Sequence, residues 1–291
     1  MSRYVTALVA AVLVSSWSEA AQAEGVDFGY SYGAETTDSG ETEVELWATA
    51  RHGKGEGHYG AQDYRLEVER GITDRFQVAL YANFAGHHVH RMEPRFEDID
   101  RSFGFQGLSA EFQYNLIKPT HDGFGLTLYA EPGWSRINHV SGETGKEYEL
   151  ELKAIVQKNF SDDRLVWVGN LTVEPDWERE DEEGVQGVDE PDWEKELKIE
   201  LTTGLAYRVA PGWSVGIEGR YSNIYPDWTE GMHREAFAVS AGPTVHYSSG
   251  EWSMTATWLP QLFGSPNGSR SNLSLDEYEK SEFRLKLSHE F

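Results

Sequence analysis

The chain has 291 residues, no cysteine, 29 glycines, 37 aromatic residues as 10 Trp, 14 Tyr and 13 Phe, and a formal charge of −24. That charge excludes nucleic acid as a natural partner, because phosphate is held by Lys and Arg. After residue 23 there is no run of eighteen apolar residues, which excludes a helical membrane protein. Glycine and aromatic content at low mean hydropathy fits a transmembrane β-barrel, in which only every second strand residue faces lipid.

In chain order, Arg3 precedes an apolar run over 5–14, and Ala21-Gln22-Ala23 supplies the small-x-small pattern of a signal peptidase site. Residues 1–23 are therefore expected to be a signal peptide for export to the outer membrane. Residues 24–40 show no period and read as a flexible N-terminal leader, either mobile or tucked into a lumen. From residue 41 to 291 the chain reads as one outer-membrane barrel of about twelve strands.

The strands are placed by period-two alternation at 41–52, 60–70, 75–87, 104–116, 123–134, 146–160, 163–175, 193–208, 212–224, 234–248, 250–260 and 281–291. Over 104–116, Leu108, Ala110, Phe112, Tyr114 and Leu116 share one face, with Ser109, Glu111, Gln113 and Asn115 on the other. Carrying this alternation along the chain sends ionised side chains inward on most strands. Glu43, Glu45, Asp63, Arg65 and Glu67 come from the first two strands. Glu111, Glu131, Glu147, Glu149, Glu151 and Lys153 come from the middle ones. Glu196, Lys198, Glu200, Glu218, Arg220, Arg284 and Lys286 complete the lumen wall. Acids predominate, so an open lumen would attract cations. The alternative is a salt-bridged network that fills a narrow barrel.

Short turns near residues 71–74, 118–122, 161–162, 210–211 and 249 alternate with longer connections such as 88–103, 176–192 and 261–280. An up-and-down outer-membrane barrel has this pattern, with periplasmic turns and extracellular loops. Trp134, Trp177, Trp193, Trp228 and Trp258 fall toward the outer strand ends and Trp213 and Trp252 toward the inner ends, as interfacial girdles would. The last strand alternates Phe283, Leu285, Leu287 and His289 up to a terminal Phe291, and such a strand is the expected handle for barrel-assembly machinery.

Two features suggest metal chemistry. Gly86-His87-His88-Val89-His90 clusters imidazoles in a spacing without a strong signature. The tripeptide Pro-Asp-Trp recurs at 175–177, 191–193 and 226–228, where Asp176, Asp192 and Asp227 would meet at the outer rim and offer oxygens to a divalent cation. Solvated histidines and interfacial tryptophans explain both patterns without a metal. No cofactor motif is present and none is expected. His246-Tyr247-Ser248 puts His and Ser on one face, but at the periplasmic end, so no enzyme is expected.

The stretches Glu45-Leu46-Trp47-Ala48-Thr49-Ala50-Arg51, Gly71-Ile72-Thr73-Asp74-Arg75-Phe76-Gln77 and Gln157-Lys158-Asn159-Phe160-Ser161-Asp162-Asp163-Arg164-Leu165 resemble an uncharacterised family of Gram-negative outer-membrane barrels. That family is in turn distantly similar to outer-membrane channels found beside aromatic-degradation pathways. The resemblance implies the fold and location over nearly the whole mature chain; it implies no substrate and no catalytic residue. The expected function is a passive, cation-favouring, porin-like pore for small solutes. The alternative is a closed structural or binding barrel whose acidic outer loops take divalent metal ions or lipopolysaccharide.

Overall fold

Alternating side chains give each strand one face for hydrocarbon and one for a polar interior, and the hairpins between neighbours then pair them antiparallel. In the computed structural model, which describes residues 26–92, 96–119, 123–180, 193–265 and 272–291 (Glu180 in its backbone only), this yields twelve strands. They are β1 (Thr42–His52), β2 (His58–Thr73), β3 (Phe76–His90), β4 (Ile99–Ile117), β5 (Phe124–Ile137), β6 (Thr144–Phe160), β7 (Leu165–Glu180), β8 (Glu194–Ala210), β9 (Trp213–Pro226), β10 (Ala236–Ser249), β11 (Trp252–Gly264) and β12 (Ser281–Glu290). Each pairs with its sequence neighbours, and β1 pairs with β12 through Leu46↔Leu287 and Ala48↔Leu285. The barrel is closed, so no strand edge is left with unpaired backbone groups, the condition for a sheet in hydrocarbon. This is the all-β, single, antiparallel up-and-down barrel expected from the alternation.

The outward face carries large apolar side chains in the open: Leu80 is 67 % exposed, Ile217 62 %, Leu108 52 % and Phe112 43 %. In water such a band would be a severe aggregation hazard; against lipid it is the required surface. A cation placed in it should be costly according to depth. Leu152→Arg, midway along β6, is expected to destabilise the folded barrel by about 2–4 kcal/mol, and Tyr148→Arg, near the outer rim, by about 0–1 kcal/mol. Equilibrium urea titrations in lipid vesicles measure both; equal costs at the two depths would contradict the membrane placement.

The turns at one end are short. Pro211-Gly212 and Gly250-Glu251 each close a two-residue hairpin in which glycine takes φ of 72° and 60°, a conformation that costs other residues strain. The strands run further at the opposite, outer end than hydropathy suggests: β4 begins at Ile99, β7 continues to Glu180 and β3 to His90. These extensions carry charged residues on both sheet faces, as strands emerging into water can, and so show no apolar alternation.

Residues 26–40 are not a free leader. They enter the lumen from the short-turn end, pass Phe28 and Tyr30 up to the level of Glu218, and return past Ala34 to Asp38, beside Gly71. Residues 1–25, including the expected signal peptide, lie outside the described residues.

Candidate functional site

The lumen is filled at three levels. At the periplasmic level the strap 26–40 has no sheet partner, so its backbone needs hydrogen bonds from the wall. Inward amide side chains supply them. Asn170 accepts from Tyr32 N at 2.7 Å and donates to Tyr32 O at 3.0 Å. Gln157 accepts from Ala34 N at 2.8 Å, while Asn115 and Thr127 donate to Ala34 O at 2.5 and 2.7 Å. Gln77 accepts from Thr37 N at 2.8 Å. The innermost turn is held by one carboxylate: Glu218 accepts from the successive amides of Gly29, Tyr30 and Ser31 at 2.8, 2.8 and 2.9 Å, and from Thr257 Oγ1 at 2.7 Å. Consecutive N–H groups converging on an anion form a concave nest that favours negative charge. Phe28 buries against Val166, Val168 and Ala206. It lies where the absence of a side chain at Gly204 leaves room, since a Cβ there would come within 2.6 Å of its ring.

At mid-height, aromatic rings interleave with cations. Trp47 has Arg65, Arg284 and Lys286 over its ring at 5.2, 5.0 and 4.6 Å, and Lys153 sits 4.2 Å from the centroid of Tyr32 and 4.3 Å from that of Tyr129. Carboxylates from the wall, and Asp27 from the strap, neutralise these cations. Arg65 pairs with Glu131, Lys153 with Glu151, Arg220 with Glu282, and Lys286 with Asp27 at 2.8 Å and Glu45 at 3.3 Å. Lys198 contacts Glu174 at 3.3 Å, Asp176 at 2.5 Å and Glu196 at 3.8 Å.

At the outer level, Arg51 ties the wall to two loops. Its guanidinium holds Asp63 in a two-point contact at 2.7 and 3.0 Å and donates to Tyr59 Oη, Glu279 Oε1 and His139 O. Lys54 adds a contact to Glu279 at 3.6 Å. The loop over 138–143 and the segment 272–280 are thereby drawn across the mouth. Burial alone would raise the Glu279 carboxyl, but Lys54 and Arg51 hold it well below the usual carboxylate range. A depressed carboxyl stabilises the folded state at every pH above its unfolded value of about 4.3 and loses that contribution as pH falls through the folded value. Amides of 272–280 are therefore expected to exchange hydrogen at the same intrinsic-rate-corrected level at pH 7 and pH 5, and faster near pH 3. Glu279→Gln should flatten that dependence, and an unchanged profile in this variant would refute the assignment.

The structure puts the sequence-derived lumen residues on the inner wall, but in distinct settings. Glu67, Glu69 and Glu111 bring carboxylate oxygens within 4.8 Å of one another on β2 and β4. Tyr81 Oη donates to Glu67 at 2.9 Å and also to Glu111. A second trio, Glu147, Glu149 and Asp176, meets the same distance on β6 and β7. Glu43, Glu45, Glu67, Glu69 and Glu111, with Lys286, line a cavity of about 520 Å³ between strap and wall. Glu200 accepts from Ser222 at 2.6 Å and lies 3.7 Å from Arg220.

The expected rim and histidine clusters are corrected. Asp176 is on β7, paired with Glu149 and Glu196 and 4 % exposed, so it faces the lumen instead of a loop. Asp227 is in the exposed turn after β9, and Asp192 lies outside the described residues. His87 does not join His88 and His90, because successive strand residues point to opposite faces, and the latter two share a face but take different partners. His87 is buried against His139 O at 3.1 Å, whereas His88 contacts Asp100 at 2.6 Å and His90 stacks on His58. His246 contacts Thr255 Oγ1 at 2.9 Å.

Sequence reasoning missed the strap's amide cradle, Gln77, Asn115, Gln157 and Asn170. The available signal was four inward amides at one level near the periplasmic ends of β3, β4, β6 and β7, more uncharged hydrogen-bonding capacity than a bare water-filled wall needs.

A closed twelve-stranded wall, apolar without and ionised within, defines the fold of an outer-membrane β-barrel, here carrying an internal strap. The chain belongs to a family of unknown function (DUF6662), whose model matches residues 20–291. Among solved structures it is similar to an outer-membrane channel from Pseudomonas putida F1, at 14 % identity and a TM-score of 0.57, covering 91 % of this chain and 100 % of that one. It also matches the translocator domain of the autotransporter NalP from Neisseria meningitidis (10 % identity, 86 % and 88 % covered, TM-score 0.49) and the NanC porin (11 % identity, 84 % and 98 % covered, TM-score 0.47). At such identities the first likeness concerns the fold. No curated protein sequence is significantly similar to the chain.

Proposed function

We propose that this barrel is a passive, cation-favouring outer-membrane pore for small solutes, gated on its periplasmic side by residues 26–40. The observation that carries this reading is the acidic cavity between strap and wall, where Glu43, Glu45, Glu67, Glu69 and Glu111 of the wall, with further acids of the strap, outnumber the two lysines of the lining, Lys118 and Lys286. With low-dielectric walls around it, such a surplus raises the local concentration of cations and repels anions. Export by the segment 1–23 and insertion by way of the strand ending at Phe291 belong to the same reading; at that end the His289 ring meets Trp252 edge-on and Phe291 at a tilt, with centroids 4.4 and 4.3 Å away.

A second reading, a closed binding barrel, is favoured by the filled mid-lumen and by the Glu147, Glu149 and Asp176 trio, whose oxygens suit a hard divalent cation. Planar bilayers under a KCl gradient separate the two. The pore reading expects conductance steps whose reversal potential lies toward that of potassium. Anion preference, or silence both in the full barrel and after release of the strap, would overturn it and leave the binding barrel.

A further inference from the structure

Strand alternation sorts charge by sign at the outer rim of β5 to β8. The acids there face the lumen: Glu147, Glu178 and Glu194 are cross-strand partners in one row. The cations of the same strand ends face the other way. Lys146 is the cross-strand partner of Arg179, and Lys195 is the partner of Trp177. Arg136, two residues beyond Trp134, is exposed on the same outward face, because Ser135 between them turns inward to Glu147.

One step nearer the membrane than Lys146 and Arg179, the outward row consists of rings and ends in Lys195 on β8. Trp134 pairs with Tyr148 and Tyr148 with Trp177. Trp193 packs on Tyr148 at 5.7 Å, with the Arg179 guanidinium 5.2 Å from the Trp193 ring. Rings of this kind mark the hydrocarbon boundary, so the four cations of four successive strands stand at headgroup height. A chain of charge −24 thus presents a basic row toward the outer leaflet, with Lys146 and Arg179 paired and Lys195 one cross-strand step below them.

We propose that this row binds the phosphate groups of an outer-leaflet glycolipid of the lipopolysaccharide type, with the rings beneath it against the sugar and acyl boundary. Charge complementarity selects that occupant, since phosphate oxygens accept from Arg and Lys while a zwitterionic headgroup offers no net charge. The inference rests on the membrane placement argued above but not on conduction.

The test uses the full barrel in zwitterionic micelles, with folding read independently from heat-modifiable gel migration. Tryptophan fluorescence follows titration with bis-phosphorylated lipid A, dephosphorylated lipid A and inorganic phosphate. The phosphorylated lipid should bind at least about tenfold more tightly than the dephosphorylated one, and inorganic phosphate should not compete at matched concentration. Substituting Arg136, Lys146, Arg179 and Lys195 together by Gln should remove that preference. The same change at Arg70, Arg75 and Lys158, at the periplasmic end, should leave it. Equal affinity for the two lipids, an unaltered preference in the fourfold variant, or equal loss in the periplasmic variant would each overturn the proposal. Failure to fold in micelles would instead strike at the membrane reading.

Discussion

Glu218→Ala is expected to convert the barrel from a rarely conducting into a persistently conducting one. The carboxylate accepts from three consecutive backbone amides of the strap, at 2.8, 2.8 and 2.9 Å. Hydrogen bonds to a charged acceptor contribute about 1.5–3 kcal/mol each, less when they share one acceptor, so removal should favour strap release by on the order of 5 kcal/mol. A population shift of that size spans from nearly all closed to mostly open. Single-channel recordings of wild type, Glu218→Ala, Glu218→Gln and a deletion of 26–40 give the scale. The deletion and Glu218→Ala should share one large conductance, and Glu218→Gln, which keeps one carbonyl acceptor without the charge, should lie between. A deletion that conducts no better than wild type would show that the strap does not close the path.

Arg51→Ala is expected to cost about 3–5 kcal/mol in folding free energy, the usual penalty for leaving buried charges without their partner. The side chain is 3 % exposed and its two acidic contacts, Asp63 and Glu279, are 19 % and 9 % exposed. Its loss leaves Asp63 with His139 Nδ1 at 3.9 Å, frees the carbonyl of His139 and leaves Glu279 with Lys54 at 3.6 Å and Tyr59 Oη at 3.5 Å, so both outer segments should loosen together. Guanidinium titrations in vesicles measure the cost. Hydrogen exchange over 138–143 and 272–280 should rise in parallel while the strap at 26–40 stays protected. Arg51→Lys should recover only part, because an ammonium cannot reproduce the planar two-point contact to Asp63. Loosening of the strap as well would mean that the two ends of the lumen are coupled.

The strand count, the closure and the inward or outward sense of each strand were legible in the alternation of residues such as Leu108 to Leu116, because a period of two assigns faces without knowledge of neighbours. The lumen glutamates were legible for the same reason. What the sequence could not reveal is how far inward side chains meet across the barrel. Glu218 lies 189 positions from Gly29, and their contact exists only once the wall has closed. The strap shows no period of its own because its hydrogen bonds come from amides on four different strands. Asp176 was misplaced to a loop since strand ends standing in water need no apolar alternation, leaving only pairing with Glu149 and Glu196 to reveal the face it occupies. Local patterning thus determined which side of the wall each residue takes, a property of the backbone pleat. Tertiary closure decided the contacts between the strap and the wall and between distant strands, because those cross a lumen that does not exist until the first strand finds the last.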